Sequence, residues 1–449
     1  MARPAVVFKE ADPHAPPRSS NKHVSVDPEG NTLIDLEFIE EPLGVTAEQG
    51  HGYLRVEFGD ALGPDKRYKV VRKLGWGMNA SVWMAFDEKE KRYVAIKALK
   101  GYSTDLFKRN VTWELPALQR VASIPPPPGV ESTHWPQLLD HFIQPGRDRD
   151  GEHLCLVTDV LGGDVKSLQI EVAKKKGLPL PLAKRILLHT LRGLAHMHHC
   201  NIVHTDLKHD NIMFDAGSAD IAVLIEADPP RCHPPEESWE CTVQAAVSQP
   251  LPLPSFSEAM TRTYVVSDFG CAQPTTLHTF DEITTCGLRA PEVILQGPWD
   301  EKVDIWAFGC LIFEFITGSA LFEMKPYPEE GLDETTCHLW QMLCWTQDRI
   351  TREQVEASKL GTQYFDLPDN PDDPFCNLKG RPRIYNSPFW ALLKRYNVLE
   401  EADVFATAKF MQRSGVIPNC RCLRKGGNEP GSGQHRPSLN SSTLDTDPS

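Results

Sequence analysis

A chain of 449 residues exceeds what one hydrophobic core usually supports, about 250–300 residues, so two cores with flanks are expected. With 61 acidic against 47 basic residues and a net charge of −14, direct nucleic-acid binding is not expected and a basic peptide partner is permitted, although any acidic soluble protein would carry that balance. The 12 cysteines are scattered, only Cys420 and Cys422 lie close together, and Met1-Ala2-Arg3-Pro4 opens no secretory signal, so reduced thiols in a cytoplasmic or nuclear protein are expected.

Residues 1–50 are polar and proline-bearing apart from an acidic-apolar piece at Leu33 to Leu43, and they predict a mostly disordered arm. Residues 51–67 lead into a β-rich lobe spanning 51–161. Its strand-like runs are Tyr68–Lys73, Ser81–Phe86, Tyr93–Leu99, Trp135–Phe142 and His153–Asp159. One helix around Thr104 to Val121 interrupts them. Pro116 should disturb that helix, and Pro125-Pro126-Pro127-Pro128 breaks the path to the next strand.

Residues 162–413 predict a larger helical lobe. Leu182, Ile186, Leu187, Leu191, Leu194 and Ala195 give helical spacing over Leu182 to Met197. Val303 to Ile316 is apolar nearly all round and so should be buried. It is too short for a membrane span and carries Asp304 and Glu314. Within this lobe, 216–263 is proline-rich, acidic and aperiodic, and reads as an irregular surface insert. Residues 414–449 are rich in Gly, Ser and Pro and read as a disordered tail. His196, His198, His199 and Cys200 fall at a helix end, where a surface terminus outweighs a metal site.

The chemistry concentrates in His204-Thr205-Asp206-Leu207-Lys208-His209-Asp210-Asn211 and, further on, Asp268-Phe269-Gly270. Asp206 can accept the proton of an attacking hydroxyl, Lys208 can neutralise charge on a moving phosphate, and Asn211 and Asp268 can hold a magnesium ion. Upstream, Leu74-Gly75-Trp76-Gly77-Met78-Asn79-Ala80-Ser81-Val82 carries glycines where backbone must arch over phosphates, with Ala80 at the third glycine position; alone it reads equally as a hairpin turn. Lys97 closes the apolar run Tyr93-Val94-Ala95-Ile96-Lys97. Glu114 is the expected partner that holds it toward the phosphates.

These motifs, in this order, resemble a eukaryotic protein kinase across roughly residues 68 to 413. Gly75-Trp76-Gly77, Ser81-Val82-Trp83, His153 to Gly162, Thr205 before the catalytic Asp206, and an insert ahead of Asp268 are similar to the SR-protein kinases. Ser358 to Asp366 and Leu399 to Arg413 resemble compact fungal members. The resemblance implies an α+β two-lobed fold, ATP and Mg2+ as cofactors, and transfer of phosphate to Ser/Thr, marked by Lys208, of Arg/Ser-rich substrates by a monomer. It also implies that Asp159 and Leu161 present backbone to the adenine, that the small Thr158 before them leaves a pocket behind the adenine open, and that Thr285 bridges Asp206 and Lys208.

Departures keep a second class open. After Arg413 the chain lacks the usual turn with an Arg that pairs with the carboxylate of Ala290-Pro291-Glu292, and an unpaired buried carboxylate costs about 3–5 kcal/mol. With Pro116, this makes a non-catalytic, kinase-shaped scaffold the rival reading; a Ser/Thr kinase for other substrates is a third. An acidic, proline-bearing stretch from Lys325 to Pro374, with Glu329, Glu330, Asp333, Glu334, Asp369, Asp372 and Asp373, could contact substrate arginines or simply face solvent.

Overall fold

In the computed structural model the described residues are 5–10, 21–26, 32–128, 134–174, 176–217, 220–239, 241–346, 349–370, 372–385 and 388–413. The expected tail, 414–449, lies outside them. The N-terminal segment holds β1 (Ala5–Glu10), β2 (Lys22–Val26) and β3 (Thr32–Phe38), with β3 between a parallel β1 and an antiparallel β2. The expected mostly disordered arm over 1–50 is therefore corrected. Leu36, Phe38, Leu43 and Val45 are buried against Tyr53, Val243 and Ala245. Composition understates the segment because its apolar face is matched by residues two hundred positions away.

The β-rich lobe follows with β4 (Ala61–Leu62), β5 (Tyr68–Gly77), β6 (Ala80–Asp87) and β7 (Arg92–Leu99), then helices α1 (Gly101–Lys108) and α2 (Glu114–Ser123), then β8 (Leu138–Pro145) and β9 (Glu152–Thr158). They form one antiparallel sheet of order β4-β5-β6-β7-β9-β8. Instead of one helix around 104–121 there are two, because the chain passes through Asn110 at φ +58°. Pro116 consequently sits in the first turn of α2, where no N–H is required of it, and the expected disturbance does not arise.

The larger lobe opens with β10 (Leu161–Asp164), α3 (Val165–Ala173), α4 (Leu180–His199), β11 (Ile202–Val203) and β12 (Ile212–Asp215). The insert region carries α5 (Ile221–Ala227), β13 (Glu236–Glu237), β14 (Thr242–Val243) and α6 (Phe256–Ala259), and β15 (Tyr264–Val266) and β16 (Gln273–Pro274) follow. β12 lies between β10 and β15, and β11 pairs with β16. The remaining helices are α7 (Pro291–Ile294), α8 (Lys302–Thr317), α9 (Glu334–Thr346), α10 (Arg352–Ala357), α11 (Gly361–Tyr364), α12 (Phe389–Tyr396) and α13 (Glu401–Arg413). α8 is buried along most of its length and packs on α4, as its all-round apolarity requires.

The irregular-insert expectation for 216–263 also needs correction. The stretch docks on β5: the Gln249 N–H donates to Lys73 O at 2.9 Å, the Arg72 guanidinium donates to Asp228 O, and Ala246 joins the core of the β-rich lobe. Its buried apolar residues, Val243, Ala245, Ala246, Leu251 and Ala259, are few and follow no single period. Among the described residues no helix is long and apolar enough to cross a membrane.

Candidate active site

The glycine-bearing segment Leu74 to Val82 is the end of β5, a two-residue turn at Met78-Asn79 and the start of β6, with Gly77 paired to Ala80. A Cβ on Gly75 or Gly77 would meet nothing within 4 Å, so internal packing does not require either glycine. Ala80 is buried and Ser81 fully so; Met78 at the tip is 81% exposed.

Val82 lies opposite Lys97 in the β6–β7 ladder. Lys97 Nζ stands 2.6 Å from Glu114 Oε1 and 2.8 Å from Asp268 Oδ1. Burial works against the charge on Lys97, but Asp268 and Glu114 outweigh it and its pKa is raised. The Lys97 ammonium holds the Asp268 carboxyl well below the usual carboxylate range, against burial. Burial raises the pKa of Glu114, and Lys97 offsets part of that. Asp268 sits in the left-handed region at φ +61°, a strained conformation for a residue with a Cβ and one that clusters at functional sites.

The loop from His204 to Asn211 lies between β11 and β12. Lys208 Nζ is 2.8 Å from Asp206 Oδ2, and the Asn211 amide donates to Asp206 O at 2.8 Å and to Oδ2 at 3.0 Å. The Asn211 side-chain amide thus spends its donor end on Asp206, leaving its oxygen as a ligand atom. Asp268 and Asn211 together offer an all-oxygen donor set, which suits a hard divalent cation. His204 Nε2 donates to Ser267 O at 2.9 Å, so its Nδ1 accepts the Asp206 N–H at 3.2 Å. Asp304 in the first turn of α8 accepts from the backbone N–H of His204 and of Thr205 at 2.8 and 2.9 Å, and from His198 Nε2 at 2.9 Å. Asp304 thus holds the backbone of this loop, and the same carboxylate accounts for His198. His196 instead stacks on Trp135 and bonds Val121 O in α2.

Asp159 lies in the short connection after β9, 3.2 Å from Arg92, and Leu161 opens β10. Thr158 ends β9, and its hydroxyl donates to Asp159 O at 3.1 Å. The expected bridge from Thr285 is not made. Thr284 is the threonine that reaches the loop, donating from its N–H and its hydroxyl to Thr205 O at 2.8 and 3.1 Å. Adjacent threonines left the sequence ambiguous by one residue, and φ +65° at Thr284 turns that one inward. The Glu292 carboxyl is pushed up by burial, and no ion pair to it occurs among the described residues. Tyr53, whose hydroxyl reaches the tip of the glycine-bearing segment, was not foreseen; the lead-in Gly50-His51-Gly52-Tyr53 was its only signal.

The protein kinase domain family matches residues 68–226 and 256–365, the gap falling in the insert. The chain is 31% identical over 350 residues to a serine/threonine-protein kinase SRPK of Physarum polycephalum, covering 73% of this chain and 77% of that protein. It is 26% identical to the protein kinase dsk1 of Schizosaccharomyces pombe, covering 90% and 86%. A further match, to SRSF protein kinase 3 of Mus musculus, is 37% identical over 38% of this chain and 29% of the relative. With Lys97, Glu114 and Asp268 joined by ion pairs and Asp206, Lys208 and Asn211 by hydrogen bonds, the chain belongs to the eukaryotic protein kinases and is an SR-protein-kinase-like serine/threonine kinase.

Proposed function

We propose that this kinase uses ATP with Mg2+ to phosphorylate serines in Arg/Ser-rich proteins. The observation that carries the chemistry is Lys97, clamped by Glu114 and paired with Asp268, next to the Asp206–Lys208–Asn211 cluster, whose Asn211 O accepts the N–H of Ser267, the neighbour of Asp268, at 2.8 Å. Leu74 to Val82 cover the phosphates, Lys97 fixes the α- and β-phosphates, and the backbone of Asp159 and Leu161 receives the adenine. Asn211 and Asp268 would hold Mg2+, which when bound neutralises charge on the nucleotide phosphates. The Asp206 carboxylate takes the proton of the substrate hydroxyl as its oxygen bonds the γ-phosphorus and ADP leaves. Lys208 offsets the charge on the moving phosphate.

The substrate class rests on similarity to relatives named for SR proteins and on acidity near the α10 end of the helical lobe. Glu353, Glu356, Asp372 and Asp373 line an open depression beside Thr351 and Pro374. Arg352, also lining it, is engaged by Glu356 and Pro368 O, so carboxylates remain for guanidinium groups. A monomer acting in the cytoplasm, the nucleus or both, without direct nucleic-acid contact, belongs to the same reading. No observation favours the scaffold alternative.

The test is transfer to matched peptides with Ser alternating with Arg, with Lys, or followed by Pro. An Arg/Ser preference in kcat/KM of about tenfold or more is expected. Equal rates on the Lys peptide, or preference for the Pro peptide, would remove the substrate assignment while leaving the kinase activity standing.

A further inference from the structure

The tip of the glycine-bearing segment is gripped from outside the kinase core. The Tyr53 hydroxyl shares its one proton between two consecutive carbonyls, Gly77 O at 2.9 Å and Met78 O at 2.8 Å. Its ring is 2% exposed and meets Trp76 edge-on at 6.3 Å. Burial raises the hydroxyl's pKa, so it remains a donor.

Tyr53 is itself fixed on three sides. Its ring belongs to the cluster of Leu36, Phe38, Leu43 and Val45 from the N-terminal segment and Val243 and Ala245 from the insert. The chain just before it is tied to α1: the N–H of Gly101 donates to Gly52 O at 2.6 Å and that of Tyr102 to His51 O at 3.1 Å. Gly52, at φ +82°, leaves no room for a side chain, since a Cβ there would lie 2.2 Å from Asp150 O. The residue after the tip is held from the same direction, with Lys100 N–H on Asn79 O at 2.9 Å and Ser103 Oγ on Asn79 Oδ1 at 3.3 Å.

The geometry points to Tyr53 as a positioning residue for nucleotide binding: through its hydroxyl it sets the height of the Gly77–Met78 peptide over the phosphates. The role is additional to Lys97 and the catalytic loop, and it rests on the assignment of Leu74 to Val82 as the phosphate cover. Turn carbonyls without Tyr53 would turn to water, and the segment would sample open positions in which its backbone N–H groups miss the nucleotide. The chemical step, run by Asp206, would be unaffected once ATP is seated.

Tyr53→Phe keeps the ring and its packing and deletes only the hydroxyl. In the nucleotide-free full chain, amide exchange over 75–82 should become faster while the rest of the sheet is unchanged. In steady state the KM for ATP and the Kd for ADP should rise about fivefold, the loss of one hydrogen bond, with kcat within about twofold and the KM for peptide unchanged. Tyr53→Leu should add a fall in melting temperature to the same loop effect. The proposal is overturned if Tyr53→Phe matches the wild type in both loop exchange and KM for ATP while Tyr53→Leu loses both, since the ring would then be only packing. Faster loop exchange with unaltered nucleotide affinity would instead overturn the phosphate-cover assignment, so the two failures are distinguishable.

Discussion

Lys73 on β5 meets Glu40, from the segment ahead of the kinase core, at 2.9 Å, and the lysine has no exposed surface. Glu41 also reaches its ammonium, and Ala246 O of the insert accepts from it at 3.2 Å. Glu40 is further bonded by Ser248 N–H and hydroxyl at 2.8 and 2.6 Å and by His233 at 3.2 Å. One strand, one N-terminal segment and one insert are thus joined around a single buried cation. Burial raises the pKa of Glu41 despite Lys73, whereas Ser248 and Lys73 bring that of Glu40 below its ordinary value against burial.

Replacing Lys73 by Met should therefore destabilise the protein more than an ordinary surface change. Methionine fills the space but leaves Glu40 and Glu41 buried without their cation, a loss of about 3–5 kcal/mol. Urea unfolding at neutral pH measures it. The double change Glu40→Gln with Glu41→Gln on the Lys73→Met background should recover part of the loss, because neutral amides cost less to enclose. A Lys73→Met variant as stable as the wild type would mean that the insert and N-terminal segment hold β5 by apolar contact alone.

The elements built on one strong period were legible in the sequence. The five expected strands, the helix over 182–197 and the buried helix over 303–316 stand at their positions within a few residues, because each carries its own periodicity. Lys97, Glu114, Asp206, Asn211 and Asp268 meet because the motifs encode which strand end or loop bears them. What escaped was everything held by pairing across long sequence separation. Leu36 and Phe38 find Val243 and Ala245, Lys73 finds Glu40 and Glu41, and Arg72 finds Asp228. Each partner sits in a stretch whose prolines and charges read as irregular, and local pattern cannot report a partner that lies outside its own window, 33 positions away for Glu40 and 156 for Asp228. The break between α1 and α2 escaped for a different reason: Asn110 adopts a left-handed conformation that asparagine tolerates but does not demand.

Asp206→Asn should abolish phosphate transfer, by about 10²–10⁴ from loss of the base, while ATP binding stays near normal. The carboxylate contacts Lys208 and Asn211 and not the Lys97–Glu114 pair. Lys97→Met should instead weaken nucleotide affinity and turnover together, and should release Asp268 from the ion pair that keeps its carboxyl strongly acidic. Single-turnover transfer with calorimetric ADP and ATP binding separates the two. Near-normal transfer by Asp206→Asn would show that the base is assigned wrongly.

Phosphorylation of the activation segment should not be needed for activity. Most kinases carry an Arg before the catalytic Asp, unpaired until a phosphate arrives; this chain has Thr205. Thr205 already ties the segment down without a phosphate, its hydroxyl donating to Cys271 O at 2.6 Å and its carbonyl accepting from Thr284 N–H and hydroxyl. Arg289, a basic residue that could receive a phosphate, is bonded to Ile283 O and Thr284 O at 3.1 and 2.9 Å. Bacterially made, phosphatase-treated enzyme should match untreated enzyme on an Arg/Ser peptide. A loss of tenfold, about 1.4 kcal/mol on the barrier, that is reversed by phosphate on Thr275, Thr276, Thr279, Thr284 or Thr285 would sink this prediction.

Two buried carboxyls give stability a pH dependence of defined sign. Burial, with Glu41 and Glu40 nearby, pushes Glu236 of the insert up to about 7, and burial alone raises Glu314 of α8 to about 7. Between the ordinary carboxyl value of 4.5 and about 7 the folded chain keeps protons that the unfolded chain releases, so each group's contribution falls as pH rises through that window and is flat above it. His189 and His338, buried neutral with pKa values near 3 and 4, act in the opposite direction over part of the same window. Asp87, held near 2 chiefly by Arg67, acts only below about pH 4. The absolute curve is therefore a sum, and the difference between wild type and a glutamine variant isolates each carboxyl. Glu236→Gln should gain stability relative to wild type as pH rises from 5 to 7.5, by at most about 3 kcal/mol, with Glu314→Gln behaving alike. Urea midpoints at pH 5, 6, 7 and 8 measure it, and a wild-type-to-variant gap that stays constant across that range would mean that Glu236 titrates as an ordinary exposed carboxyl and that the insert is less firmly seated on β5 than its contacts imply.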